Sequence, residues 1–126
     1  YVQYSYARIS SLFRKLDIDI NKVFKINESD FQLNSHELNL FRKILDWPKV
    51  IETSSIKHEP HRVPFYLYEL ATLFHSYWSK GNEDPNYKFI IDGKIKNTNT
   101  LLIIKITALT IENGMKILGV SLPTKM

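Results

Sequence analysis

Leu101, Ile104, Ala108, Ile111, Met115 and Leu118 step along the chain by 3, 4, 3, 4 and 3 positions, the period of one face of an α-helix and not of a strand, where every second residue shares a face. Local composition argues the other way, because Leu101-Leu-Ile-Ile104 and Thr107 are β-favouring residues. Periodicity sustained over five turns outweighs propensity, so the spacing predicts one helix over 101–118 with Gly119 as its C-terminal cap. A second stripe of the same period, Leu67, Leu70, Ala71, Phe74 and Trp78, follows Pro60 and Pro64 and runs to Gly81, expected to stop that helix in a left-handed conformation. Neither stripe can be buried alone, so the pair calls for a helix-on-helix architecture.

The rest of the chain supplies the partners. Ile9, Leu12, Phe13 and Leu16 fall at i, i+3, i+4 and i+7, which predicts a first helix over 2–16. Turn chemistry in Asp17-Ile-Asp-Ile-Asn21 and Asn27-Glu-Ser-Asp30 makes 17–33 a connector with room for a short helical piece. Asn34 followed by Glu37 reads as a capping box, and Leu38, Phe41 and Leu45 continue as a stripe to Trp47, where Pro48 disfavours helix in the residue before it. Pro48 can itself open a short third helix through Ile56, since its missing N–H is not needed in a first turn. Asn82, Pro85, Asn86, Gly93, Asn97 and Asn99 mark 82–99 as a loop, briefly extended at 87–91. The fold expected is all-α, a four- to five-helix bundle forming one domain over 1–126.

With 44% hydrophobic and 13% aromatic residues the 126-residue chain has enough apolar material for one core. Seventeen Lys and Arg against 13 Asp and Glu give a formal charge of +4, which suits a polyanionic partner without establishing one. The absence of Cys excludes disulfides and thiolate metal sites. No apolar run approaches the roughly 18 residues that span a bilayer, so a soluble protein without a membrane partner is expected; a cytoplasmic setting and a monomeric fragment are separate expectations. Tyr1 already lies in a helical pattern with no capping residue ahead of it, so the chain is expected to be a segment of a longer protein.

A search for chemistry returns little. In His58-Glu59-Pro60-His61 the proline prevents the i, i+4 geometry of two helical zinc ligands and no third ligand stands nearby, so a polar loop is expected there and no metal. Glycines 81, 93, 114 and 119 are too scattered to cradle a phosphate, and no Ser stands at a nucleophile elbow. His75 and Glu69, six residues apart, fall on different faces of one helix and cannot act as a pair. With no catalytic residue and no cofactor site in view, a binding module is expected. At ~100° per residue Tyr1, Tyr4 and Arg8 lie within about 60° of one another, beside the Ile9–Leu12–Leu16 stripe. Such a strip can stack unpaired bases and meet a phosphate; equally, the tyrosines can pack at the core edge while Arg8 only solvates the helix. Tyr66, Tyr68, Tyr77 and Trp78 share that ambiguity, with core packing favoured for most of them.

Four blocks carry a family resemblance. Tyr1-Val-Gln-Tyr-Ser-Tyr-Ala-Arg-Ile9 resembles the Y-[VL]-Q-Y-A-H-[AS]-R-[IL] segment that enters the anticodon-binding domain of arginyl-tRNA synthetases. Pro64-Phe-Tyr-Leu-Tyr-Glu-Leu-Ala71 resembles that family's Y-L-[YF]-[ED]-L-A helix, Asn113-Gly-Met-Lys-Ile-Leu-Gly119 its N-G-[ML]-x-[LI]-L-G, and Pro123-Thr-Lys-Met126 its P-x-x-M terminus. The resemblance implies a C-terminal tRNA-binding domain for arginine tRNAs, with Tyr1, Tyr4, Arg8, Trp78 and the terminal Met126 facing the anticodon. It also implies an absent Rossmann-type body that uses ATP to activate arginine. Four positions depart from the pattern: Ser5 and Tyr6 replace Ala-His, Trp78 replaces a Tyr, and Thr100 stands where the family's helix commonly carries the Arg of its D-A-L-R pattern. The alternatives are a helical protein-interaction bundle and the related domain of another synthetase, such as the cysteine enzyme, against which the Y-x-Q-Y and P-x-x-M pairing argues.

Overall fold

The computed structural model describes residues 1–19, 33–95, 98–120 and 122, and shows five α-helices with one small hairpin among them. Helix α1 (Val2–Lys15) buries Ala7, Ile9, Leu12 and Phe13, as its stripe requires. It ends where Asp17 takes φ +55, letting Ile18 N–H reach the Phe13 carbonyl and Asp17 N–H that of Arg14, a six-to-one and five-to-two pair that satisfies two end carbonyls. The connector expected over 17–33 begins there, and its possible helical piece lies outside the described residues.

Helix α2 (Ser35–Leu45) opens with the predicted capping box: Glu37 N–H donates to Asn34 Oδ1 at 2.9 Å, and Asn34 N–H to Glu37 Oε1 at 3.0 Å. Its buried face differs from the stripe read in the sequence. Glu37 and Leu40 point inward while Leu45 is exposed, because the Glu37 carboxylate finds partners in the core. Trp47 does not end α2 but opens α3 (Trp47–Ile56), with Pro48 in the first turn. The tryptophan is held there by the bundle: its ring stacks on Tyr66 at 5.1 Å, and its Nε1–H donates to Asn113 Oδ1 at 3.2 Å.

Helix α4 (Arg62–Glu83) runs two residues past Gly81, so that glycine is not the expected stop. Its role is space: a Cβ at Gly81 would lie 3.0 Å from the Tyr87 carbonyl oxygen, because a 3-10 turn (Pro85–Tyr87) folds back across the helix. Part of the 87–91 stretch is extended as expected, since Ile90–Ile91 (β1) pairs antiparallel with Lys94–Ile95 (β2). Between the strands Asp92 and Gly93 both have positive φ, +54 and +76, the requirement of a two-residue turn matched to strand twist.

Helix α5 (Thr98–Ile117) confirms the period-over-propensity reading and is buried on nearly every side, packed against α1, α2 and α4. The hydroxyls of Thr107 and Thr110 donate to the carbonyls of Ile103 and Ile106, both at 2.8 Å, which is how β-branched polar residues are accommodated in a helix. Gly119, at φ +72, closes it with Val120 N–H on the Met115 carbonyl and its own N–H on Lys116. Leu118, the last member of the predicted stripe, is exposed in that turn.

Candidate nucleic-acid interface

The first three turns of α1 lie across the middle of α4, and this crossing assembles the aromatic strip. Arg8, one turn beyond Tyr4, donates from Nη2 to the Tyr4 hydroxyl at 2.8 Å. Its guanidinium carbon stands 4.7 Å from the Tyr4 ring centroid and 4.8 Å from that of Trp78 on α4, inside the range in which a cation is attracted to a ring face. Tyr4, Arg8 and Trp78 therefore form one cluster contributed by two helices. Tyr1 joins through His75: the Tyr1 ring lies 4.8 Å from the His75 ring and 5.1 Å from that of Tyr68, and Tyr4 stacks on His75 at 5.8 Å. Tyr1 and Tyr4 are exposed, at 56% and 42%, which resolves their core-edge alternative in favour of surface. Trp78 is half-buried and packs edge-on against Phe89 at 5.6 Å and against Phe74 at 6.3 Å. Its ring thus serves the core and the surface together. Met126 lies outside the described residues.

Beside the cluster opens a cleft of about 510 Å³ whose polar lining is Tyr4, Arg8, Ser11, Arg14 and Lys15, with Trp78 as its wall. Among the described residues three cations and no carboxylate line it, so it favours an anion such as a phosphodiester. Arg14 and Lys15 were not singled out from sequence. The signal was present for Lys15, since Tyr4, Arg8, Ser11 and Lys15 repeat at i, i+4, i+7 and i+11 and continue the Tyr–Arg strip by two turns. Tyr68, one of the tyrosines that the sequence leaves between core and surface, is exposed, while His75 carried no signal, because its partners are on another helix.

All four departures from the family pattern have a structural use. Ser5, fully buried, sets its Oγ 2.9 Å from His75 Nε2 and 3.3 Å from the Tyr1 carbonyl. Tyr6 donates its hydroxyl to Glu112 Oε2 at 3.3 Å, joining α1 to α5; burial and the Glu112 charge hold that phenol's pKa above its usual value. Trp78 takes the guanidinium of Arg8. Thr100 donates to Glu37 Oε2 at 2.5 Å, and Tyr77 donates to the same oxygen at 3.1 Å, so hydroxyls rather than an Arg meet the buried carboxylate. Burial, with the Glu37 charge adding to it, drives the Tyr77 pKa strongly upward. Burial first and the charge of Arg8 second push the His75 pKa below its ordinary value.

Among the described residues no group of three or more His, Asp or Glu is placed to hold a metal, and no helix is long and apolar enough to cross a membrane. The family model of the DALR anticodon-binding domain matches residues 2–126. An arginine–tRNA ligase of Pelagibacter ubique is 44% identical over 126 residues, covering 100% of this chain and 22% of that protein. The arginine–tRNA ligase of Rhizobium meliloti is 35% identical over 132 residues, with 100% and 23% coverage. A crystal structure assigned as an arginyl-tRNA synthetase from Campylobacter jejuni superposes with a TM-score of 0.79 at 28% identity, over 100% of this chain and 26% of that one. The chain thus spans about a quarter or less of the length of these relatives. With the family model matched over residues 2–126, the chain belongs to the DALR anticodon-binding domain family.

Proposed function

We propose that this chain is the anticodon-reading domain of an arginine–tRNA ligase, receiving the anticodon loop of arginine tRNAs on the surface made by Tyr1, Tyr4, Arg8 and Trp78, with Met126 at its edge. The observation that carries the reading is the clasp of Arg8 between an exposed Tyr4 and the half-buried Trp78 at the mouth of a cationic cleft. Unpaired bases are splayed and need flat partners, while their backbone needs cations spaced along a groove. Tyr4 and Trp78 supply the first; Arg14 and Lys15 supply the second, and the donors of Arg8 not used on Tyr4 remain for a base edge or a phosphate. The full-length ligase, acting in the cytoplasm, would use ATP to join arginine to the tRNA in a body outside residues 1–126, and this monomeric domain would hold no cofactor of its own. A helical protein-interaction bundle has no observation in its favour.

Two measurements test the proposal. Arginine tRNA with its native anticodon should bind the full-length protein more tightly than the same tRNA with an altered anticodon, and equal affinities would refute anticodon reading. The 126-residue chain alone should show no ATP–pyrophosphate exchange, since no nucleotide-binding or nucleophilic set was found in it; robust exchange by a pure sample would refute that assignment.

A further inference from the structure

His75 stands where the two parts of the aromatic surface meet. Its ring lies 4.8 Å from that of Tyr1 and 5.8 Å from that of Tyr4, two tyrosines one helical turn apart on α1. Left to themselves, such half-exposed rings rotate about two side-chain torsions, and a bound base must first immobilise them. The imidazole prevents this by occupying the gap, and it is fixed in turn by its Nε2, 2.9 Å from the hydroxyl of fully buried Ser5.

We propose that His75 is a positioning residue for RNA binding: wedged between Tyr1 and Tyr4 and tied to Ser5, its imidazole presents the two rings as one preformed stacking platform. This rests on the anticodon-binding reading above. It also gives the platform a proton dependence. The charged and titratable groups facing His75 come from α1, namely Arg8 and the phenols of Tyr1 and Tyr4; from its own helix the exposed Tyr68 lies across Tyr1. Burial first and the Arg8 charge second disfavour the protonated imidazole, opposed by the hydrogen bond to the Tyr1 backbone carbonyl. A proton gained in acid places a second cation beside Arg8. The platform then loosens. The sign is diagnostic, because a histidine that merely added positive charge to the surface would tighten RNA binding as pH falls.

The test uses the full-length protein and a fluorescent RNA stem-loop carrying an arginine anticodon, titrated at about pH 8 and about pH 5.5. Wild-type affinity is expected to fall severalfold in acid. His75→Phe, which keeps a ring in the gap and cannot take a proton, should bind within about threefold of wild type at the higher pH and lose the acid effect. His75→Ala should bind about tenfold more weakly than the wild type at the higher pH and show no acid effect of its own, with its helical circular dichroism retained. Wild-type binding that is flat or tightens in acid, an acid effect that persists in His75→Phe, or unchanged affinity in His75→Ala overturns the proposal while leaving anticodon binding standing. Failure of the wild type to bind the stem-loop at either pH removes the anticodon-binding reading and this inference with it.

Discussion

A buried carboxylate needs a donor for each oxygen, and Glu37, 2% exposed, has donors from three elements. Asn34 N–H serves Oε1 at the mouth of α2, while the hydroxyls of Tyr77 on α4 and Thr100 on α5 share Oε2. Asn34 Nδ2 closes the ring by donating to the Tyr77 hydroxyl at 3.1 Å. Glu37→Ala removes the acceptor of two buried hydroxyls and half the capping box, so it should lower unfolding stability by ~2–4 kcal/mol in a denaturant titration; a loss below about 0.5 kcal/mol would show that water replaces the carboxylate without penalty. Trp78 presents a different case. With its ring shared between Arg8 and the Phe74–Phe89 contacts, Trp78→Ala should cost ~1–3 kcal/mol of stability as well as RNA affinity, so the fold is not left untouched as surface placement alone would imply. Calorimetry of that variant against Tyr4→Ala, which should melt like wild type, checks the distinction. The Asn34–Glu37 pair was readable in sequence because a capping box is local. Its extension to Tyr77 and Thr100 was not, since those partners are 40 and 63 residues away.

At the scale of elements, helices announced themselves wherever an apolar stripe lasted three turns or more. Helix α5 is the clearest instance: burial on nearly every side stabilises its Ile and Thr residues more than intrinsic propensity disfavours them. The errors fell at ends and joints, where tertiary contacts decide. Gly81 looked like a stop and is a point of close approach; Trp47 looked like an end and begins α3 because Asn113 and Tyr66 hold it. The hairpin was missed although Asp92-Gly93 after Ile90-Ile91 is a hairpin signal, because its two-residue strands are too short to show an alternation. Gly119 is the end that was read correctly, and its φ of +72 gives a prediction. Among the described residues nothing lies within 4 Å of the position of a Cβ there, so Gly119→Ala should cost the left-handed backbone penalty, about 1 kcal/mol by thermal or denaturant melting. An unchanged midpoint would mean that the α5 terminus frays in solution.

Over the whole molecule, the formal charge of +4 is modest, and its placement matters more than its size. Arg8, Arg14 and Lys15 gather at one cleft beside the rings, while elsewhere cations such as Lys43 and Arg62 are paired with Glu69 and Glu59. The bundle sets α1 across α4 so that residues some seventy positions apart share one face, and no reading of either helix alone would have brought His75 or Tyr68 to the strip. That shared face is the central claim, and anticodon discrimination in Tyr4→Ala tests it most directly. The quantity is the ratio of affinities of the full-length protein for arginine tRNA with native and with altered anticodon, at one salt concentration. Loss of one stacking partner for an unpaired base, ~1–3 kcal/mol, should weaken binding of the native anticodon by about five- to 150-fold and lower that ratio, while the melting temperature stays at the wild-type value. An unchanged ratio in Tyr4→Ala would contradict the account, because the anticodon would then be read on some other face of the domain.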